Sequence, residues 1–115
     1  MIESQRLDAA FFALADPTRR AILARLAEGE TTVMQLAEPF AMSQPAISRH
    51  LKVLEEAGLI ERRRDAQRRP CRLDPRALIE ARSWIERCRE RWETTYQRLD
   101  LLLEEMKAAE GPSAK

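Results

Sequence analysis

The chain has 115 residues, 44% apolar and 34% charged, and its charges nearly cancel to a formal net charge of +1. That length supports one modest core and gives no room for a second, and a balance so close to neutral excludes a uniformly basic surface. No apolar run approaches the ~20 residues of a membrane-spanning helix. Two cysteines with no signal-peptide pattern lead to the expectation of a reduced, cytoplasmic protein.

The charge is unevenly spread. Residues 1–40 carry four arginines against six acids, residues 41–76 carry nine Lys or Arg against five acids, and residues 77–115 carry seven against eight. The excess of positive charge therefore sits in the middle of the chain, and its distribution is more informative than its total.

Taken in order, Leu7, Ala10, Phe11 and Leu14 recur at helical spacing and predict a short amphipathic first helix. Phe12 falls on a flank of it, where an isolated chain would expose it. The next segment carries its own punctuation. Asp16 serves as N-cap, Pro17 as the first helical residue, Ile22, Leu23 and Leu26 as the inward face, and Gly29 as the stop. Thr31 or Thr32 caps a third, short helix through Val33, Leu36 and Ala37, which Pro39 prevents from continuing. A tight connection of three or four residues, roughly Phe40 to Met42, follows.

Ser43 to Gly58, SQPAISRHLKVLEEAG, predicts the central helix. Ser43 is an N-cap, Pro45 lies in the first turn where its missing N–H costs nothing, and Gly58 ends the helix. At 100° per residue, Ile47, Leu51 and Leu54 form a narrow inward arc, while Pro45, Ser48, Arg49 and Lys52 project from the other side. Two short helices joined by a tight turn, the second polar and basic outside, make a helix-turn-helix whose second helix suits the DNA major groove.

After Gly58, the segments LIERRR and PCRLD around a polar turn predict a two-stranded β-hairpin, with Pro70 tolerable because such a ribbon is all edge. Between Arg62 and Arg76 there are seven arginines and two aspartates, so this hairpin is an arginine-rich wing placed to meet phosphates. Asp74 and Pro75 then repeat the N-cap and first-turn-proline pattern and open a long helix. Along it Ile85, Cys88, Trp92, Thr95, Leu99, Leu102 and Met106 step by three and four, with Trp84, Tyr96 and Leu103 widening the seam. A helix of about 30 residues is ~45 Å long, too long for so small a body to cover. A second copy of the chain is the expected cover.

The stretches LADPTRRAILARL, SQPAISRHLKVLEEAGLI and RRPCRLDP together resemble the ArsR-type (ArsR/SmtB) winged helix-turn-helix transcriptional regulators, over roughly residues 5–105. The resemblance implies a mainly α fold of about five helices with a two-stranded wing. It also implies a homodimer through the first and last helices, two recognition helices in successive major grooves, and repression of a promoter. Carried over by position, Gln44, Ser48 and Arg49 match residues that reach base edges, with Ser43 and Pro45 at the helix mouth. Arg64, Arg68 and Arg69 match the wing tip. Chemically, Gln44 can pair with adenine, Arg49 with guanine O6 and N7, and Ser48 with base or phosphate; Lys52 is assigned to phosphate. The dimer interface is expected to use Leu7, Phe11, Phe12, Ile85, Cys88, Trp92, Tyr96, Leu99 and Leu102. His50 is expected on the helix flank or at a phosphate. Arg19 and Arg20 are expected to face away from the groove, one of them in a structural ion pair, with a phosphate anchor as the alternative.

The chain departs from the metal-sensing members. Where those that bind thiophilic metals carry a cysteine–x–cysteine pattern, this chain has TTVMQLAE, with Thr32 and Met34 at the matching positions. Its sole histidine is His50, away from the last helix, so neither standard metal site is present. No cofactor and no metal are expected, and the effector is left open. Nor can catalysis be assembled around one histidine and three glycines, so no enzyme is expected.

The expectation is a single winged-helix domain over residues 1–107 with a flexible tail at 108–115, acting as a dimeric repressor on double-stranded operator DNA and not on membranes. Cys71 and Cys88 are expected to be inert, small core residues. Two rivals remain open: a thiol- or metal-responsive repressor using Cys71 and Cys88, and a winged-helix protein–protein interaction module.

Overall fold

The architecture comes from a computed structural model that describes residues 3–63 and 69–110. Five helices and three short strands occur in the order α1 Glu3–Leu14, α2 Pro17–Leu26, β1 Thr31–Thr32, α3 Val33–Ala37, α4 Gln44–Glu56, β2 Ile60–Arg62, β3 Pro70–Leu73 and α5 Arg76–Glu110. The chain divides into two compact units, Met1–Ala81 and Arg82–Lys115.

In the first unit the helix starts follow from capping chemistry. Asp16 accepts the Arg19 amide at 3.0 Å with Pro17 beginning α2, and Ser43 accepts the Ala46 amide at 3.3 Å with Pro45 in the first turn of α4. Thr32 rather than Thr31 caps α3. Its hydroxyl accepts the Gln35 amide while the Gln35 side-chain oxygen accepts the Thr32 amide, a reciprocal capping box that holds a helix of only five residues. α4 ends at Glu56 with Ala57 as its C-cap, and Gly58 follows at φ +77°, a left-handed conformation in which an L side chain would be strained.

The core is built on the inward arc of α4. Ile47, Leu51 and Leu54 are each fully buried, with Ile22 and Leu26 of α2, Leu36 of α3 and Leu59 just before β2. Small residues let the helices approach: Ala10 and Ala13 of α1 and Ala77 and Ala81 of α5 are buried as well.

Three details differ from expectation. The two wing strands β2 and β3 pair antiparallel as expected, Ile60 opposite Leu73, but a third strand joins them in the order β1-β3-β2, with Thr31 opposite Cys71. The added strand is two threonines long, too short for any periodicity to announce it. β3 is consequently the central strand, and Pro70 is tolerated because it is the first residue of that strand. The connection between α3 and α4 is also longer than three or four residues, because α3 stops at Ala37 and Pro39 lies in the turn that follows. Finally, α5 begins at Arg76, so Asp74 lies just outside the helix. It still accepts the Arg76 amide at 3.1 Å and grips the Arg76 guanidinium at 2.6 to 3.3 Å.

In the second unit α5 continues to Glu110. Its large apolar residues stand open to solvent in the single chain, among them Trp92, Tyr96, Leu99, Leu102 and Met106. Trp92 and Tyr96 pack against each other with ring centroids 4.2 Å apart. Residues 111–115, most of the expected tail, lie outside the described residues.

Candidate nucleic-acid interface

α4 presents four distinct sides, and only one is used by the core. Opposite Ile47, Leu51 and Leu54, Pro45, Arg49 and Lys52 are exposed. Among the described residues Arg49 and Lys52 have no ion-pair partner, so both charges are free to meet an anion.

One flank of α4 opens into a concavity of about 540 Å³. Gln44 and Ser48 of α4 line it together with Thr32, Val33, Met34 and Gln35 from the start of α3, Arg62 of β2, and Arg69 just before β3. The structure thus brings Gln44, Ser48 and Arg69 to one cleft, with Ser43 at the adjoining mouth of the helix. Arg69 stands at φ +48° immediately before Pro70, an uncommon backbone conformation for a non-glycine residue. Arg64 and Arg68, the other wing arginines singled out from sequence, lie outside the described residues.

Arg62 was hidden in the arginine run but has a separate role. Its Nε lies 3.4 Å from Glu55 Oε1, joining β2 to the last turn of α4, and its side chain is largely buried. Met34, at 68% exposure the most open large apolar side chain among the described residues, is a second member of the cleft that polar-residue reasoning overlooks. The only signal for it in sequence is its position one step off the inward pair Val33 and Leu36.

The other flank of α4 meets the start of α2. His50 Nδ1 is 3.4 Å from Arg19 Nη1 and 3.9 Å from Asp16 Oδ2. Arg19 also donates to the carbonyls of Ala13 at 2.7 Å and Phe12 at 3.0 Å, and its guanidinium lies 5.4 Å from the centre of the Phe12 ring. Arg20 donates to the Leu14 carbonyl at 2.8 Å. Both arginines therefore satisfy the last carbonyls of α1, groups a helix leaves without internal partners, rather than pairing with an acid. His50 accordingly sits on a helix–helix flank.

Ionisable groups in the first unit are set by their neighbours. The hydrogen bond from the Arg19 amide holds the Asp16 carboxyl below its ordinary value, and the Arg76 guanidinium does the same for Asp74. Burial pushes the Cys71 thiol up, which keeps it protonated and a poor nucleophile. Cys88 is exposed in the single chain, not part of a core. No group of three or more His, Cys, Asp or Glu side chains able to hold a metal occurs among the described residues.

Comparison with known proteins places this geometry. The profile of bacterial regulatory proteins of the arsR family matches residues 16–62, from the N-cap of α2 to the end of β2. The HTH-type transcriptional regulator Rv2034 of Mycobacterium tuberculosis is 46% identical over 92 residues, which is 80% of this chain and 86% of that protein. The chain belongs to the arsR family. It is therefore a winged helix-turn-helix, DNA-binding transcriptional regulator, with α3 and α4 as the helix-turn-helix and β2 and β3 as the base of the wing. The transcriptional repressor SdpR of Bacillus subtilis is 39% identical over 75 residues, 65% of this chain and 83% of that one. Among solved structures, the homodimeric winged helix-turn-helix DNA-binding domain Mb0332 of Mycobacterium bovis matches with a TM-score of 0.60 at 28% identity. That match covers 75% of this ArsR-family chain and 82% of the other. No helix among the described residues is long and apolar enough to cross a membrane.

Proposed function

We propose that this ArsR-family regulator is a homodimeric repressor that acts in the cytoplasm on an inverted-repeat operator, with residues 1–107 working as one functional domain and with no catalytic activity. The observation that carries this reading is the outer arc of α4. Arg49 and Lys52 are exposed and, among the described residues, without ion-pair partners, on a helix whose opposite face is fully buried, so the basic arc is rigidly presented. In this reading Ser43, Gln44, Pro45, Ser48 and Arg49 meet base edges and the groove wall, and Lys52, Arg64, Arg68 and Arg69 meet phosphates.

Self-association is supported by the apolar side of α5. The face buried at Ala77 and Ala81 continues in helical register through Ile85, Cys88, Trp92, Leu99, Leu102 and Met106, where it stands exposed in the single chain. Leu7, Phe11 and Phe12 of α1 complete the proposed interface, Phe12 being 66% exposed. The homodimeric state of the Mycobacterium bovis relative and the repressor role of the Bacillus subtilis relative support assembly and sign of regulation. A two-fold dimer requires half-sites about one helical turn, ~34–36 Å, apart.

The test is an electrophoretic shift of duplexes from the protein's own upstream region and from a genomic selection at low salt, with sedimentation in parallel. A shifted duplex with two-fold symmetric protection and a dimer mass are expected. Failure to shift any duplex would refute the DNA reading. A monomer that persists at micromolar concentration, and is unaffected by Leu99→Asp with Leu102→Asp, would refute the dimer.

A further inference from the structure

One nitrogen, His50 Nδ1, has two partners that need it in opposite states. The Arg19 guanidinium, 3.4 Å away, can only donate, so its hydrogen bond exists when Nδ1 is unprotonated. The Asp16 carboxylate, 3.9 Å away, can only accept, so its ion pair exists when Nδ1 carries a proton. The two bonds are mutually exclusive: the neutral ring accepts from Arg19 in its Nε2–H tautomer, which the shorter of the two contacts favours, and the imidazolium, with a proton on Nδ1, cannot accept at all.

We infer that His50 is a proton-operated positioning residue: neutral, it is bound to the Arg19 group that grips the end of α1, and protonated, it is released to Asp16, so that acidification weakens operator binding. This rests on the reading of α4 as the DNA-reading helix.

Three elements meet at the site. Arg19 binds the Phe12 and Ala13 carbonyls of α1 with Nη2 and Nε, which leaves Nη1 for His50 of α4. The same guanidinium therefore ties the first helix, a proposed dimer element, to the recognition helix. A proton on Nδ1 removes the acceptor and sets two cations against each other across 3.4 Å, while Asp16, held as a carboxylate by the Arg19 amide, attracts the imidazolium. Among the described residues, Asp16 and Arg19 are the charged groups in contact with His50. From the other elements packed on α4, Arg62 of β2 is engaged with Glu55, nearer the far end of the helix, and Arg20 is engaged with the Leu14 carbonyl. One turn away on α4 itself stand Ala46, Ile47, Val53 and Leu54, none of which titrates. The chain has one histidine, so its imidazole signals can be followed without ambiguity.

The experiment measures the affinity of the full chain for a duplex recovered by genomic selection, from pH 8 to 5.5 at constant ionic strength, alongside the imidazole titration by NMR. The wild type is expected to lose about five- to tenfold in affinity, the effect of one positioning hydrogen bond, with a midpoint that coincides with that of the imidazole. His50→Asn, whose amide oxygen accepts from Arg19 but takes no proton, is expected to bind evenly across the range. Asp16→Asn, which keeps the cap but removes the carboxylate that draws the imidazolium, is expected to shrink the loss on acidification. A wild-type affinity that stays flat or rises on acidification, or the same loss in His50→Asn, would overturn the inference. If His50→Asn does not fold, disagreement between the two wild-type midpoints overturns it as well. Absence of binding at pH 8 would instead overturn the DNA reading and this inference with it.

Discussion

Arg49→Ala separates reading a sequence from merely holding DNA. The side chain is exposed, has no ion-pair partner among the described residues, and lies opposite the buried arc of α4. Its truncation should therefore leave the fold within about 0.5 kcal/mol of wild type, as for surface positions that carry no cap, strain or buried pair. On DNA the loss is larger. A bidentate arginine–guanine pair discriminates by about 1–3 kcal/mol, which corresponds to roughly five- to 150-fold between the preferred duplex and one changed at the contacted base. Arg69→Ala is the control: under the proposed phosphate role at the rim of the cleft, it should weaken all duplexes alike and reduce the slope of log affinity against log salt by about 0.9 per phosphate. Fluorescence anisotropy between 50 and 200 mM salt, on the selected duplex and its single-position variants, measures both quantities. If Arg49→Ala kept full discrimination while its melting temperature stayed at that of wild type, the assignment of α4's outer arc to base reading would be wrong.

Other outcomes follow from the same structure. Leu51→Ala, at a fully buried position contacting the core from α4, should cost about 2–5 kcal/mol in urea denaturation. Because the Asp74 carboxyl is held below its ordinary value by Arg76, it stabilises the fold above the usual carboxylate range, and that contribution is lost as pH falls through its lowered value. Asp74→Asn should flatten the acid limb of a stability–pH profile; an unchanged limb would assign acid sensitivity elsewhere. Alkylation followed by mass spectrometry should leave the buried Cys71 unmodified in the native protein. Cys88 should react in dilute solution and become protected as concentration rises, if α5 is covered by a second copy.

What the sequence discloses here is whatever short-range chemistry enforces. Asp16-Pro17, Ser43 with Pro45, and Gly58 each mark a helix boundary through a local hydrogen bond or a dihedral preference, and the inward arc of α4 is a matter of angular spacing. All are found where expected. β1 was not legible, because two threonines become a strand only when β3 arrives from about 40 residues further along the chain. Arg19 and Arg20 illustrate the same limit. Their chemistry as donors was plain, yet the choice between an acid and the orphan carbonyls of α1 depends on how tightly the turn Ala15–Asp16 brings α2 back against α1. The cleft beside Gln44 and Ser48 was illegible for a related reason: it is assembled from α3, α4 and the sheet, and each contributes residues unremarkable alone.

A near-neutral chain can still present a basic reading face because its acids are placed against particular arginines. Glu55 engages Arg62, Glu61 engages Arg72 at 2.8 Å, and Asp74 engages Arg76 at 2.6 Å. Each of these pairs involves a sheet strand or the turn that follows it, and none involves the outer arc of α4. The pairing removes arginines from the count of available cations without removing Arg49, Lys52 or Arg69, which have no ion-pair partner among the described residues. Exposed pairs such as Arg72–Glu61 contribute only about 0–1 kcal/mol to stability, so their chief consequence is electrostatic allocation. Reversing Glu61 to Lys should accordingly change folding stability little while raising affinity for all duplexes and steepening the salt dependence, since it frees Arg72 and adds a cation beside the wing. An affinity unchanged by that reversal would mean that the sheet's outer strand lies beyond the reach of the phosphates, and would confine the basic face to α4 and the cleft beside it.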